Sequence, residues 1–210
     1  MIRKYLDKLL IALGCTIIIA AVAIKFGTQY EQNKLVDDYR EYISEMQSLD
    51  KFFNEESQKQ SDDNTELQKP FAKSGTLKQP ENLIGILSIP KIDLTVGIGE
   101  GVDNTTLKYS VGHFAETAKP GQKGNLCLIG HRSYAYGQFF NRLDELEKND
   151  EIIIESKGNI YKYKVTETKV VKPEEVSVLD QTKDSQITLI TCTPIRVGSH
   201  RLVVKGALIQ

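Results

Sequence analysis

The segment Tyr161-Lys162-Tyr163-Lys164-Val165-Thr166 alternates large apolar side chains with charged and polar ones. A period of two is typical of a β-strand that buries one face, because successive side chains point to opposite sides of a sheet. The segment just before it, residues 151–155, holds three isoleucines between two glutamates and is also typical of a strand. Together they predict that this part of the chain is β-structure with a buried face.

Similar short runs continue on both sides of these two segments, from residue 83 to residue 210. Helical patterns are brief here and cover only residues 105–111 and 137–146. Six or more short strands with few helices are typical of a mostly antiparallel barrel or sandwich. The sequence therefore predicts a mainly β domain, whose other strands are residues 83–89, 92–98, 125–129, 187–191 and 202–209.

The overall composition excludes several classes of protein. Of 210 residues, 27 are Lys or Arg and 28 are Asp or Glu, so the formal net charge is −1. This balance gives no general attraction to nucleic acid, and we expect no nucleic-acid partner. Three cysteines are too few for a disulfide scaffold. A hydrophobic share of 40% with 26% charged residues argues against a disordered chain and against a polytopic membrane protein.

The N-terminus combines a basic flank with an apolar stretch. Three basic residues among the first eight precede residues 9–24, which carry no charge. With Phe26 the stretch reaches the lower end of the ~17–25 residues that span a bilayer. Because a basic flank stays in the cytoplasm, we expect residues 1–27 to be a single-pass membrane anchor, with the rest of the chain outside the cell. A signal peptide cleaved after Ala21-Val22-Ala23 is the alternative.

A polar region separates this stretch from the predicted β domain. Within it, apolar residues recur at steps of four and three, which predicts a stalk helix that packs on the domain or on a partner. These residues are Leu35, Tyr39, Tyr42, Met46, Leu49 and Phe53. The periodicity then ends, and the polar composition of residues 54–69 predicts a flexible linker.

Cys192 is the candidate nucleophile among the three thiols. Cys15 lies in the apolar N-terminal stretch, and Cys127 lies in Leu126-Cys127-Leu128-Ile129, where cysteine acts as a small apolar core residue. Cys192 instead follows the predicted strand 187–191 and precedes Thr193-Pro194. Proline cannot continue a sheet ladder, so the chain leaves the sheet there. A thiol at a strand end beside a loop has the access that a nucleophile needs.

A thiol nucleophile requires a base and a group that stabilises an oxyanion. Position alone does not choose among the histidines, which are His113, His131 and His200. Arg201 opens the last predicted strand, nine residues after Cys192. Antiparallel strands joined by such a loop bring their facing ends together, so Arg201 can approach the thiol. The sequence contains no CxxC or HExxH pattern, and we expect no metal site.

Two segments resemble the signature of sortases, the cysteine transpeptidases of Gram-positive bacterial surfaces. Thr188-Leu189-Ile190-Thr191-Cys192, with Arg201 downstream, is similar to the family's TLxTC pattern followed by a strand-borne arginine. Residues 124–132, which end in Gly130-His131-Arg132, look like the family's strand that ends in the catalytic histidine. The resemblance implies a closed eight-stranded β-barrel over residues 83–210 with a few short helices, after a membrane helix and stalk. Residues 28–82 would then be the stalk helix with a linker or lid.

The resemblance also implies roles for individual residues. Cys192 would attack the Thr–Gly carbonyl of an LPxTG-like sorting signal on a surface or pilin protein. His131 would protonate the leaving amine, Arg201 would steady the carbonyl or oxyanion, and Thr191 would contribute to substrate binding. An amine then resolves the thioester, with no cofactor and no metal. Supporting or packing roles remain for His113, His200 and Cys127.

The subclass depends on the segments around the thiol. Thr191-Cys192-Thr193-Pro194 and Ser199-His200-Arg201 most resemble the pilus-polymerising class C, in which the acceptor amine is a pilin lysine. Two features depart from that class: Lys69-Pro70-Phe71 stands in place of an Asp-Pro-aromatic lid, and no second apolar helix follows the last strand. Anchoring of surface proteins to cell-wall peptide amines, by class D or another class, is therefore an alternative. A non-catalytic adhesion module and a thiol hydrolase are further alternatives.

Overall fold

The protein is a long N-terminal helix followed by a β-barrel, in a computed structural model that describes residues 2–59, 82–132 and 138–210. The helix, α1, covers Ile2–Lys59. Eight strands follow it: β1 (Leu83–Ile89), β2 (Leu94–Glu100), β3 (Val111–His113), β4 (Gly124–Ile129), β5 (Glu151–Ser156), β6 (Asn159–Val171), β7 (Ser185–Thr193) and β8 (His200–Leu208). They close into a barrel in the order β1-β2-β3-β4-β7-β8-β6-β5. The predicted closed eight-stranded barrel is confirmed.

The alternating segment from which the fold was predicted lies in β6. Tyr163 and Val165 are buried, whereas Lys164 and Thr166 are exposed. β5 pairs with it antiparallel, and Ile152 of β5 lies opposite Tyr163, with both side chains in the barrel core. The period of two therefore records which face of the strand points inward.

Two strand pairs, β2–β3 and β4–β7, are parallel, and the other six are antiparallel. β7 lies between β4 and β8 in the barrel. Its central residues 187–191 are all buried, so the strand is covered on both faces. This arrangement makes β7 the central strand of the part of the barrel that carries the candidate site.

The short helical elements differ in part from the sequence prediction. The helix predicted over residues 105–111 is α2 (Asn104–Tyr109), which begins after Asp103; the Asp103 carboxylate accepts hydrogen bonds from the backbone N–H groups of Thr105 and Thr106. The helix predicted over residues 137–146 is wrong. Its described part forms two short 3₁₀ turns, Gln138–Phe140 and Leu143–Glu145, and the four apolar residues of the predicted stripe are buried: Phe139, Phe140, Leu143 and Leu146.

The first half of α1 presents apolar side chains to the outside. Within residues 8–48, one helical stretch is long and apolar enough to cross a membrane, judged by length and composition. Its large side chains do not pack on the barrel: Leu9, Ile17 and Ile24 are each more than half exposed.

The second half of α1 packs on the barrel. Val36 and Tyr39 bury against Leu83 and Ile86 of β1. The Tyr39 hydroxyl donates to the Ile84 carbonyl at 3.2 Å and accepts from the Lys157 backbone N–H at 3.2 Å. Of the predicted apolar stripe, Leu35 and Tyr39 pack on β1, as predicted. The half-buried Tyr42 and Met46 line a groove between α1 and the barrel.

The helix also extends further than predicted. It continues to Lys59, so the linker predicted to begin at residue 54 is wrong over residues 54–59, and residues 60–69 lie outside the described chain. The helix is retained there because Glu, Gln and Lys are good helix formers even without an apolar stripe.

The docking position of α1 lies away from the end of the barrel where β4 and β7 finish. α1 contacts the turn between β5 and β6 through Lys157 and Gly158. β6 begins next to this turn and ends at Val171, which pairs with Arg201. The helix and Arg201 therefore lie at opposite ends of β6.

Candidate active site

Strand register brings the three predicted catalytic residues to one end of the barrel. In the parallel β4–β7 pair, Ile129 lies opposite Ile190. His131 and Cys192 each come two residues later, so they occupy corresponding positions. In the antiparallel β7–β8 pair, Cys192 lies directly opposite Arg201. Because neighbouring strands are about 4.8 Å apart, the three residues form a row across adjacent chain segments.

Cys192 and Arg201 share one face of the sheet. Directly paired residues on antiparallel strands place their side chains on the same side, with Cβ atoms about 4.5–5.5 Å apart. Cys192 is a free thiol of intermediate exposure. Arg201 Nη1 donates to the carbonyl of Gly198 at 2.9 Å and to the carbonyl of His200 at 3.1 Å. These bonds hold the guanidinium group against the loop that joins β7 to β8.

That loop passes close to the thiol at Gly198. Its backbone has φ +65°, and a Cβ atom built there would lie 3.7 Å from Cys192 Cβ and 4.0 Å from Cys192 Sγ. Glycine allows both the left-handed conformation and the close approach. The Gly198 N–H donates to the Pro194 carbonyl at 2.9 Å, which folds the loop back on itself.

His131 is exposed, while the backbone around it is well anchored. The Gly130 N–H donates to the Ile190 carbonyl at 3.1 Å, and the Phe140 N–H donates to the His131 carbonyl at 3.3 Å. The Thr191 hydroxyl donates to the Gly130 carbonyl at 2.7 Å. Thr191 is fully buried, so its side chain holds the strand end that carries His131, and its assignment to substrate binding stays a prediction.

Arg132 is a residue of this region that the sequence analysis did not single out. Its Nη2 lies 2.8 Å from Asp144 Oδ1, and its Nη1 donates to Thr193 Oγ1 at 3.0 Å. Its Nε donates to the Asn141 carbonyl at 3.3 Å. A single arginine after a histidine carries no periodic signal. Its place directly after a candidate catalytic histidine was the only available clue.

Cys127 and the other histidines lie in different surroundings. Burial raises the pKa of the Cys127 thiol to about 11, so this thiol is protonated at neutral pH. His113 is buried, with Nδ1 2.9 Å from Glu100 Oε1 and Nε2 3.1 Å from the Ala118 carbonyl. His200 is exposed at the start of β8, next to Arg201, so its side chain takes the opposite face of the strand.

The row offers the groups that acyl transfer requires. A thiol can act as nucleophile, an imidazole as acid and base, and a guanidinium group as donor to an oxyanion. In the described part of the chain, no group of three or more His, Cys, Asp or Glu side chains is placed to hold a metal ion.

Known proteins resemble this chain in sequence and in fold. Sortase A of Listeria monocytogenes is 34% identical over 129 residues, which cover 60% of this chain and 56% of that protein. The chain thus spans about half the length of this relative. The solved structure of a Clostridium perfringens sortase D5 transpeptidase has TM-score 0.65 and 27% identity, and covers 86% of this chain and 99% of that one.

A second solved structure, the pilus-related sortase C of Group B Streptococcus, has TM-score 0.60 and 30% identity; the match covers 70% of this chain and 77% of that one. The family model of the sortase domain matches residues 87–209, which include nearly all of the barrel and all three residues of the row. By this match and by its closed barrel, the chain belongs to the sortase family.

Proposed function

We propose that this chain is a membrane-anchored, extracellular cysteine transpeptidase. It cleaves an LPxTG-like sorting signal between Thr and Gly and joins the threonine carbonyl to an amine. The observation that supports this most strongly is the row of Cys192, His131 and Arg201 at one end of a sortase-family barrel. In this proposal residues 1–27 are the anchor, residues 28–82 the stalk with a linker or lid, and residues 83–210 the catalytic domain.

The reaction runs in two acyl-transfer steps. The Cys192 thiolate attacks the threonine carbonyl carbon. The carbonyl oxygen becomes negatively charged and accepts hydrogen bonds from Arg201. The carbon–nitrogen bond then breaks, while His131 gives a proton to the departing glycine amine. In the second step an amine attacks the thioester and releases the Cys192 thiolate. His131 takes up the amine's proton, which restores the starting state.

The acceptor we propose is a lysine side chain of a pilin protein. The resemblance of the segments around Cys192 to class C and the structural likeness to a pilus-related sortase C favour it. A cell-wall peptide amine is the second candidate acceptor, favoured by the likeness to sortase A of Listeria monocytogenes and to a sortase D5. Both acceptors attack the same thioester, so they differ only in the surface that presents the amine.

The test combines LPxTG-type peptides with candidate amines. A chain that begins at residue 28 is incubated with each peptide and with a pilin-derived lysine peptide or a cell-wall peptide. Mass spectrometry then identifies the products. We expect cleavage between Thr and Gly and a new amide bond that depends on the amine. Hydrolysis of the peptide at the same rate with and without an amine would favour a thiol hydrolase. The absence of any product with every peptide would favour an adhesion module with an inert Cys192.

Substitutions assign the roles. Cys192→Ala and His131→Ala should both abolish turnover, since the first removes the nucleophile and the second the proton donor. Arg201→Lys should be at least ~10-fold slower, because a point ammonium does not reproduce a planar guanidinium fork. His200→Ala is the matched control and should keep most activity. An inactive His200→Ala beside an active His131→Ala would overturn the choice of histidine.

A further inference from the structure

Arg132 is a buried charge in the loop that follows His131. Its side chain is only 7% exposed. Removing a guanidinium group from water costs several kcal/mol unless it is paired and hydrogen-bonded. Asp144 supplies the opposite charge at 2.8 Å and is itself half exposed. The Arg132 charge is thus compensated by Asp144.

The three contacts use all three nitrogens of the guanidinium group. Nη2 pairs with Asp144, Nε donates to the Asn141 carbonyl, and Nη1 donates to Thr193 Oγ1. The first two partners belong to the segment around the 3₁₀ turns before β5, and Thr193 is the last residue of β7. One side chain therefore joins the loop after β4 to two other chain segments, one of them 61 residues away in sequence.

The contact between Arg132 and Thr193 lies next to both His131 and Cys192. Arg132 directly follows His131, and Thr193 directly follows Cys192. One residue earlier on each segment, the Thr191 hydroxyl donates to the Gly130 carbonyl at 2.7 Å. The two segments are thus tied together on both sides of His131 and Cys192, by the 191–130 bond before them and the 132–193 bond of 3.0 Å after them.

We propose that Arg132 is a positioning residue that sets the placement of the His131 imidazole relative to the Cys192 thiol. The proposal rests on the proposed function, since it assumes that these two residues react. Arg132 does not touch the reacting atoms in this role. It fixes the backbone that carries them, through directed bonds that lysine cannot make, because an ammonium group lacks the planar fork.

The test measures acyl transfer by four single variants and by the double variant Arg132→Gln/Thr193→Val. Arg132→Gln removes the charge and the fork, Arg132→Lys keeps the charge alone, and Thr193→Val removes only the hydroxyl that accepts from Nη1. Arg40→Gln is the matched control, because Arg40 also pairs with a carboxylate, Glu155 at 2.9 Å, but on α1. For each variant, kcat, KM, the pH profile of kcat/KM and the melting temperature are measured. Rates are normalised to the amount of reactive Cys192 thiol.

We expect Arg132→Gln to lower kcat about 10- to 100-fold with a much smaller change in KM, because small misplacement of reacting groups costs rate more than binding. The pH profile should shift, since the proton transfer between thiol and imidazole depends on their separation. Arg132→Lys should restore little of the loss. Thr193→Val should show part of it, and combining it with Arg132→Gln should add nothing further. Arg40→Gln should match the unmodified chain in kcat, KM and pH profile.

Two outcomes would overturn the proposal. If Arg132→Gln lowers the melting temperature but leaves kcat per reactive thiol and the pH profile unchanged, Arg132 only stabilises the fold. If Arg132→Lys is fully active, charge alone suffices and the fork has no positioning role. His131→Ala and Cys192→Ala, measured in the same assay, distinguish a failure of the proposed function from a failure of the role proposed for Arg132. Activity in either contradicts the proposed function, whereas their inactivity beside a fully active Arg132→Gln contradicts the role of Arg132 alone.

Discussion

At the scale of single residues, the two barrel thiols show how surroundings decide chemistry. Cys192 is partly accessible at the end of β7, and Cys127 is fully buried in β4. The Cys127 thiol lies 3.7 Å from the Asn125 carbonyl and is surrounded by protein. Burial favours the neutral thiol, which is why its pKa is raised to about 11. The same side chain is thus a packing group in one strand and the candidate nucleophile in another.

This contrast predicts selective alkylation. In a chain that begins at residue 28, iodoacetamide should modify Cys192 and leave Cys127 unmodified at about pH 8, where a thiol with a pKa of about 11 is only ~0.1% thiolate. Peptide mass spectrometry measures both sites. In Cys192→Ser the folded protein should take up almost no label, and denaturant should restore labelling of Cys127. Equal rates at the two cysteines of the folded chain would contradict this prediction.

Gly198 combines a positive φ with a position close to the Cys192 thiol. Gly198→Ala should destabilise the loop by about 1–2 kcal/mol, because a side chain at φ +65° is strained. It should also lower kcat/KM, because the new methyl group lies 4.0 Å from Cys192 Sγ, where the substrate carbonyl must approach.

Gly101→Ala is the matched control for this prediction. Gly101 also has a positive φ, +92°, but its built Cβ atom meets only Asp103 within 4 Å. It should lose stability and keep activity. A Gly198→Ala variant with unchanged kcat/KM would show that the loop moves away from the thiol at no cost.

At the scale of elements, the packing of α1 on the barrel depends on one hydroxyl with two partners. Tyr39→Phe should lower the free energy of unfolding by about 1–2 kcal/mol, since the Lys157 N–H loses its acceptor and the Ile84 carbonyl its donor. Activity should not change, because the docking position and Arg201 lie at opposite ends of β6. Chemical denaturation and peptide-transfer assays measure the two effects.

The control for Tyr39→Phe is Arg40→Gln, which removes an ion pair whose side chains are 48% and 33% exposed. Exposed pairs contribute little, so it should cost less than ~1 kcal/mol. Loss of activity without loss of stability in Tyr39→Phe would mean that α1 acts on the catalytic end of the barrel.

Local sequence patterns predict the individual strands of the barrel, but they do not predict how distant strands pair. β5 and β6 could be predicted, because the alternation of apolar and polar side chains along a strand reflects which of them are buried. The parallel β4–β7 pairing could not, since it joins residues 61 positions apart, such as Ile129 and Ile190, that no local pattern connects. Cys192 and Arg201 could therefore be proposed from their places at facing strand ends, whereas His131 was chosen among three histidines by the resemblance alone. Arg132 was missed because its three partners come together only after the barrel closes.

At the scale of the whole molecule, the two halves of α1 have separable tasks. A chain that begins at residue 28 loses the apolar stretch but keeps Val36 and Tyr39. It should be released from the membrane fraction, with unchanged stability and activity. A chain that begins at residue 60 also loses the docked half. It should unfold more easily, by roughly 3 kcal/mol, because Leu83 and Ile86 lose their cover.

Membrane fractionation and thermal unfolding test both truncated chains. The prediction fails if the chain from residue 28 remains in the membrane fraction. It also fails if the chain from residue 60 is as stable as the longer one, which would mean that the docked half of α1 contributes nothing to the barrel. N-terminal sequencing of the full-length product adds a check on the anchor, since a start at Ile24 would show cleavage after Ala21-Val22-Ala23.

The helix α1 runs without a break from its apolar stretch to the half that packs on the barrel. Ten residues of continuous helix lie between Ile24 and Leu35, where contact with the barrel begins, and they separate the two by about 16 Å. With residues 9–24 in a bilayer, a continuous helix of this length sets the height of the barrel above the lipid surface. In the proposed function, acyl transfer then takes place in a thin layer next to the membrane, and a protein substrate meets the enzyme while its sorting signal lies within that layer.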